Sequence, residues 1–127
     1  MINKHILHHA HKHGFKKDDI YNAYKIFFGI LVSESRLKII NALRHGKKNV
    51  SELMQELKMD QSNLSHDLAR LKRCGFVTVE IHKKYRYYKL NEKTILPLIE
   101  IIDNHMSQYC IHILHARKNK MKGGHTH

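Results

Sequence analysis

Two groups of residues carry chemistry in this sequence. The first is the run Asp60-Gln61-Ser62-Asn63-Leu64-Ser65-His66-Asp67-Leu68-Ala69-Arg70-Leu71-Lys72-Arg73-Cys74-Gly75. Gln61, Ser62, Asn63, Ser65 and His66 bring together short donors and acceptors of the kind that hydrogen-bond base edges and phosphates. Arg70, Lys72 and Arg73 add positive charge behind them. The second group is histidine. Of 13 in the chain, five precede Gly14 (His5, His8, His9, His11, His13) and five lie from His105 onward (His105, His112, His115, His125, His127). Imidazole suits zinc, nickel, cobalt and copper(II). His112 and His115 stand at i, i+3 on an expected helix, within reach of one ion, and His105 lies seven residues earlier on the same expected flank. The competing reading is that these are solvated helix residues. Asp103-Asn104-His105 is not a chelate, because two residues along a helix turn by about 200° and point apart.

Other chemistry is missing. The sequence has no nucleophile elbow, no HExxH, no phosphate-binding glycine loop and no usefully spaced carboxylate pair, so an enzyme is not expected. Two cysteines in 127 residues, Cys74 and Cys110, make no disulfide framework, and a reducing cytoplasm is the simplest location. No run of 18 apolar residues would span a membrane, and the N-terminus lacks the apolar stretch of a signal peptide. A formal charge of +12 favours a polyanionic partner, nucleic acid ahead of an anionic membrane.

The elements that must position the polar run are legible around it. Leu64, Leu68 and Leu71 fall at i, i+4 and i+7 and predict one apolar helix face, with Asp60 as N-cap and Gly75 as C-cap. Upstream, Asn49 with Glu52 predicts a capping box at the start of a short helix ending near Leu57. Lys58-Met59-Asp60 is then a three-residue turn of the length a helix-turn-helix needs. Downstream, residues 76–81 and 85–90 alternate apolar and polar around a basic tip, His82-Lys83-Lys84, and predict a hairpin. Helix, turn, helix and a cation-tipped hairpin is the order of a winged helix.

Residues 27–90 resemble the ArsR/SmtB family of bacterial and archaeal repressors. Ser35-Arg36-Leu37-Lys38-Ile39-Ile40-Asn41-Ala42-Leu43 is similar to the family's "TRLRILxxL" helix, Gln61 to Leu68 to its "QSxVSxHL" recognition helix, and Tyr85 to Leu90 to the "YYxL" end of its wing. The resemblance implies a mainly α fold with a small β-hairpin wing, dimerising through the first and last helices. It also implies double-stranded operator DNA as partner, met by Gln61, Ser62, Asn63, Ser65, His66 and Arg70 in the recognition helix and by Lys83, Lys84 and Arg86 in the wing. Zinc- and nickel-type sensors of that family use a last-helix site, Asp-x-His, ten residues, then His-x-x-His or Glu. Aligning Tyr88-Lys89-Leu90 puts Glu92, Thr94, His105 and Gln108 at those positions, where only His105 matches fully and Thr94 and Gln108 are poor ligands. The family's arsenic and cadmium sensors carry a Cys-x-Cys-type motif where this chain reads Asn49-Val50-Ser51-Glu52-Leu53, so thiolate sensing of that kind is not supported.

The chain divides, on this reading, into a His-rich basic arm (1–17), expected to be disordered in the absence of a ligand although Ile2, Ile6 and Leu7 suggest helix in part of it, a winged-helix DNA-binding and dimerisation domain (18–116), and a basic C-terminal tail (117–127) expected to fray. In the helix from Glu34 to His45, Leu37, Ile40 and Leu43 are expected inward. Pro97 places the start of the last helix near Thr94 as N-cap, with Leu98, Ile102, Met106, Tyr109 and Ile113 along one face. The expected function is a homodimeric repressor whose operator affinity is set by nickel, zinc or cobalt bound through His105, His112, His115 and arm residues such as His5, His8 and His9. The alternatives are the same regulator without metal control, redox-sensitive or without effector, and a His-rich metal buffer.

Overall fold

A computed structural model describes residues 2–124, with side chains to Lys118. The chain forms two compact units, residues 1–90 and residues from Asn91 onward. In the first unit, helices α1 (Lys4–Lys12), α2 (Lys17–Ile30) and α3 (Glu34–Ala42) precede a single 3₁₀ turn, Leu43–His45. A two-residue strand β1 (Lys48–Asn49), helices α4 (Val50–Leu57) and α5 (Gln61–Arg73), and the hairpin β2 (Val77–His82) and β3 (Tyr85–Leu90) complete it. The second unit is α6 (Ile95–His105), a π-helical turn (Met106–Cys110) and α7 (Ile111–Gly124).

The core of the first unit is built around the inner face of α5. Leu64, Leu68 and Leu71 are fully buried, with Ile39 of α3, Leu53 of α4 and Phe76 after α5. Burying side chains of this size contributes about 1.5–3 kcal/mol each, and together they hold α5 against the body. In α3 the inward residues are Ile39, Ile40, Ala42 and Leu43, whereas Leu37 is 42% exposed, against expectation. The buried stripe passes through Ile39 rather than Leu37.

Local chemistry sets the ends of the helices. Asn49 and Glu52 form the expected reciprocal capping box, at 2.8 Å and 3.1 Å. Asp60 accepts from the Asn63 N–H at 2.7 Å. At the far end of α5, the Gly75 N–H reaches the Lys72 carbonyl and the Phe76 N–H reaches that of Leu71, a Schellman closure requiring the left-handed φ of 75° at Gly75. Thr94 occupies the N-cap position of α6 but makes no side-chain cap; Asn91 Oδ1 accepts from the N–H groups of Lys93 and Thr94 instead.

Three features extend or revise the sequence reading. The N-terminal arm is helical over Lys4–Lys12, the stretch that holds Ile6 and Leu7, with Asn3 capping it through the His5 N–H at 2.8 Å and Ile2 buried, 8% exposed. The wing is joined by the unforeseen β1, which pairs antiparallel with β3 (Lys48↔Tyr88, Asn49↔Tyr87) to give sheet order β1-β3-β2. Two residues are too few to show an alternation in sequence. The last helix runs beyond residue 116 to Gly124 rather than fraying from Arg117, while the end of the expected tail, His125 to His127, lies outside the described residues.

One polar cluster ties three helices together. Asp67, on the inner side of α5, is 7% exposed. It accepts from Ser35 Oγ at 2.7 Å and from Arg36 Nη1 at 3.3 Å. Arg36 also donates through Nε to the Ile30 carbonyl at 3.0 Å and through Nη2 to that of Gly29 at 3.3 Å, satisfying the end of α2. Removing one partner of a buried pair strands the other charge, so Arg36→Met is expected to cost about 3 kcal/mol. Urea unfolding measures this, and Arg36→Met with Asp67→Asn is expected to lose less than the sum of the two single changes.

Candidate nucleic-acid interface

The polar residues of α5 lie where its buried leucines leave them. Gln61, Ser62, Ser65 and His66 are exposed on the first turn and a half, opposite Leu64, Leu68 and Leu71. The flanking αL turn at Lys58 (φ 53°) and the Asp60 cap hold that end of the helix clear of α4. Asn63 differs from the others. Its side-chain amide donates to Asp60 Oδ2 at 2.8 Å, so it serves the cap as well as being exposed. Arg70 is exposed two turns further along and borders a different cavity, shared with Arg73, Cys74 and residues of α2, rather than joining the Ser62–His66 group.

The wing carries a second cationic surface. β2 and β3 pair from Val77↔Leu90 to His82↔Tyr85, leaving a two-residue turn at Lys83-Lys84. Lys83 takes φ 58°, a left-handed conformation that two-residue hairpin turns demand. Lys83, Lys84 and Arg86 are all exposed, and Lys84 lies 5.5 Å from the Tyr85 ring centroid. Midway along the hairpin, Lys47 Nζ donates to Glu80 at 3.0 Å and lies 5.4 Å from the Tyr87 ring centroid, while Lys89 stands 4.0 Å from Glu80. The hydrogen bond and charge of Lys47, with Lys89 adding to them, hold the Glu80 carboxyl below its ordinary range. Sequence inspection passed over Glu80, the acid on β2 that neutralises part of this cationic edge.

Asp67 was also missed, although the sequence held a signal. It lies three residues after Leu64 and four before Leu71, which places a carboxylate on the apolar side of the helix.

The expected metal ligands are dispersed. In α1, the rings of His9 and His13 lie 4.5 Å apart between centroids, and His5 and His8 are exposed on the same helix. In the second unit, His105, His112 and His115 are exposed. Met106–Cys110 forms a π turn, and an i→i+5 turn holds one residue more than an i→i+4 turn, delaying the helical phase by about 100°. His105 therefore does not share a flank with His112 and His115, and Ile113 does not continue the face begun by Leu98, Ile102 and Met106. Glu92 and Thr94 precede α6 while His105 ends it and Gln108 lies in the π turn, so these four residues do not fit a four-ligand site within one chain. Among the described residues, no three His, Cys, Asp or Glu side chains converge as a metal site. Cys74 and Cys110 are free thiols. No helix among the described residues is long and apolar enough to cross a membrane.

A helix-turn-helix whose second helix presents a polar leading face, followed by a basic hairpin, defines a winged-helix regulator. Residues 33–79 match the model of the bacterial regulatory proteins of the arsR family. The chain is 32% identical over 90 residues to the HTH-type transcriptional regulator YbzH of Bacillus subtilis, covering 59% of this chain and 90% of that one. It is 30% identical over 84 residues to the arsenical resistance operon repressor of the same organism, covering 65% and 80%. The fold superposes with a TM-score of 0.69 on the homodimeric winged helix-turn-helix DNA-binding domain of Mb0332 from Mycobacterium bovis, at 20% identity over 76% of this chain and 89% of that one. The chain belongs to the arsR family of transcriptional regulators.

A direct check of the wing electrostatics is NMR titration of the Glu80 carboxyl. Its stabilising pairing is present above the ordinary carboxylate range and is lost as pH falls through the depressed value. Lys47→Met is expected to move the midpoint up toward the ordinary glutamate value, and added salt to do the same in part.

Proposed function

We propose that the protein is a homodimeric transcriptional repressor that reads operator DNA in the cytoplasm. The observation that carries this reading is the exposed Gln61, Ser62, Ser65 and His66 face, on a helix whose other side is anchored by three fully buried leucines and, through Asp67, by Ser35 and Arg36. Rigid support matters because base readout needs donors placed to within a few tenths of an ångström. Lys83, Lys84 and Arg86 then reach flanking phosphates or the minor groove. Ser65→Ala with His66→Ala is expected to abolish operator preference. Lys83→Ala with Lys84→Ala is expected to weaken all sequences alike and to flatten the salt slope by about two. Fluorescence anisotropy over a salt series on operator and scrambled duplexes separates the two effects; full operator preference in the first variant would refute the assignment.

Dimerisation is supported by apolar surface in each unit. Tyr21, Tyr24 and Phe28 are exposed on α2, and Ile101, Met106 and Tyr109 are exposed in and after α6. A two-fold pair would set its recognition helices about one DNA turn apart, ~34–36 Å. Sedimentation is expected to give a dimer at micromolar concentration, and a stable monomer would exclude this arrangement.

Control of operator affinity by nickel, zinc or cobalt is a second reading, favoured by the 4.5 Å approach of the His9 and His13 rings one turn apart in α1. His112 and His115 offer a comparable pair at i, i+3. Each pair supplies half of a tetrahedral set. Imidazole binds metal when neutral, so acid is expected to weaken metal binding and metal uptake to release protons. Operator titration with each ion, repeated on His9→Ala/His13→Ala and on His112→Ala/His115→Ala, tests the reading; unchanged DNA affinity with every ion leaves a regulator without metal control.

A further inference from the structure

The last turns of α2 and α5 border a surface cavity of 490 Å³. Ile26 and Ile30 supply apolar lining, and Gly29 bare backbone, where an added Cβ would meet nothing within 4 Å. Arg70 and Arg73, one helical turn apart, line it from α5 beside Cys74, and Arg36 lines it from α3. Neither Arg70 nor Arg73 takes part in an ion pair among the described residues. The carboxylate on the adjoining turn, Asp67, has both oxygens engaged by Ser35 and Arg36. The Cβ atoms of Arg70 and Arg73 are about 5–6 Å apart, as one helical turn requires, so both side chains flank the recess, and neither is ion-paired among the described residues.

We propose that this cavity binds a small organic dianion, a phosphate monoester or a dicarboxylate, that carries an apolar body. The guanidinium fork matches carboxylate and phosphate oxygens in pairs, and two forks one turn apart suit two negative charges better than one. The volume falls within the range of small-ligand sites, and Ile26 and Ile30 give the apolar part a surface to cover. The cavity lies toward the C-terminal end of α5: Arg70 is four residues past His66, about 6 Å along the helix, and Cys74 is twelve past Ser62, about 18 Å.

The site is linked to the recognition helix through Arg36. The same guanidinium that lines the cavity holds Asp67 of α5 to the carbonyls of Gly29 and Ile30. An anion in the cavity competes with Asp67 for Arg36 and loosens the clamp that sets the angle of α5. The effect on DNA rests on the regulator reading above; the binding does not.

The test uses the full chain with Cys110→Ser, so that Cys74 is the single thiol. Phenyl phosphate is the probe, phthalate the dicarboxylate arm and inorganic phosphate the bare anion. Calorimetry is expected to show saturable sub-millimolar binding of phenyl phosphate, with inorganic phosphate at least about tenfold weaker for want of the apolar body. Arg70→Glu with Arg73→Glu is expected to weaken phenyl phosphate at least about tenfold. Gly29→Leu, which fills the recess without changing charge, is expected to do the same. Phenyl phosphate should also slow alkylation of Cys74 by neutral iodoacetamide several-fold. Equal binding by the parent and both variants, or no saturation by 10 mM on the scale of millimolar ligands, overturns the proposal. Protection of Cys74 by an unrelated DNA duplex but not by phenyl phosphate also overturns it, and assigns the arginines to the phosphate backbone. Binding that survives while operator affinity is unaffected by probe keeps the site and removes only its link to DNA.

Discussion

A carboxylate taken out of water must find a cation and hydrogen-bond donors, and Asp67 is such a carboxylate. Its two oxygens are met by Arg36 and Ser35, which occupy neighbouring positions at the start of α3. Because Arg36 also satisfies two carbonyls at the end of α2, the same side chain that meets the buried charge of α5 ties α2 to α3. Hydrophobic burial by Leu64, Leu68 and Leu71 brings α5 to the body without specifying its rotation or slide, since apolar contact is non-directional. The directional groups around Asp67 supply that specification. The position of every exposed donor on the first turns of α5 follows from it.

This explains what sequence reading reached and what it did not. The leucine face, the Asn49–Glu52 box and the Gly75 closure depend on fixed local offsets, and those offsets are visible in the order of residues. Asp67 was given no role, although its offsets from Leu64 and Leu71 place it on the apolar side of the helix. Leu37 and Ile39 are both apolar and two apart, so a coarse stripe could be drawn through either, and the facing helices decided for Ile39. The π turn was invisible for a different reason: periodicity arguments assume about 100° per residue and have no means of registering a local change in that angle. The spread of histidines was misjudged for that cause alone in the last helix.

Charge is distributed as unevenly as structure. The formal excess of +12 is tempered midway along the wing, where Glu80 engages Lys47 and Lys89, and at β1, where Glu56 pairs with Lys48. These acids face cations that support the sheet. The turn at Lys83-Lys84 has no such partner among the described ion pairs. A wing whose middle is neutralised and whose tip is not concentrates its field at the tip, where a polyanion would meet it, and keeps self-repulsion within the folded sheet low.

The π turn at Met106–Cys110 has a consequence for how this chain can vary. A helix that already accommodates one surplus residue can lose a residue there without interruption of its backbone hydrogen bonding, because the i→i+5 turn relaxes to i→i+4. Such a deletion leaves α6 untouched and turns the whole of α7 by about a quarter-circle, exchanging the side that carries Ile111 and Leu114 for the side that carries His112 and His115. A single codon therefore acts as a rotary adjustment between descendants of this gene. The surface a distal helix offers to its surroundings can be redrawn by inheritance without altering any residue in it.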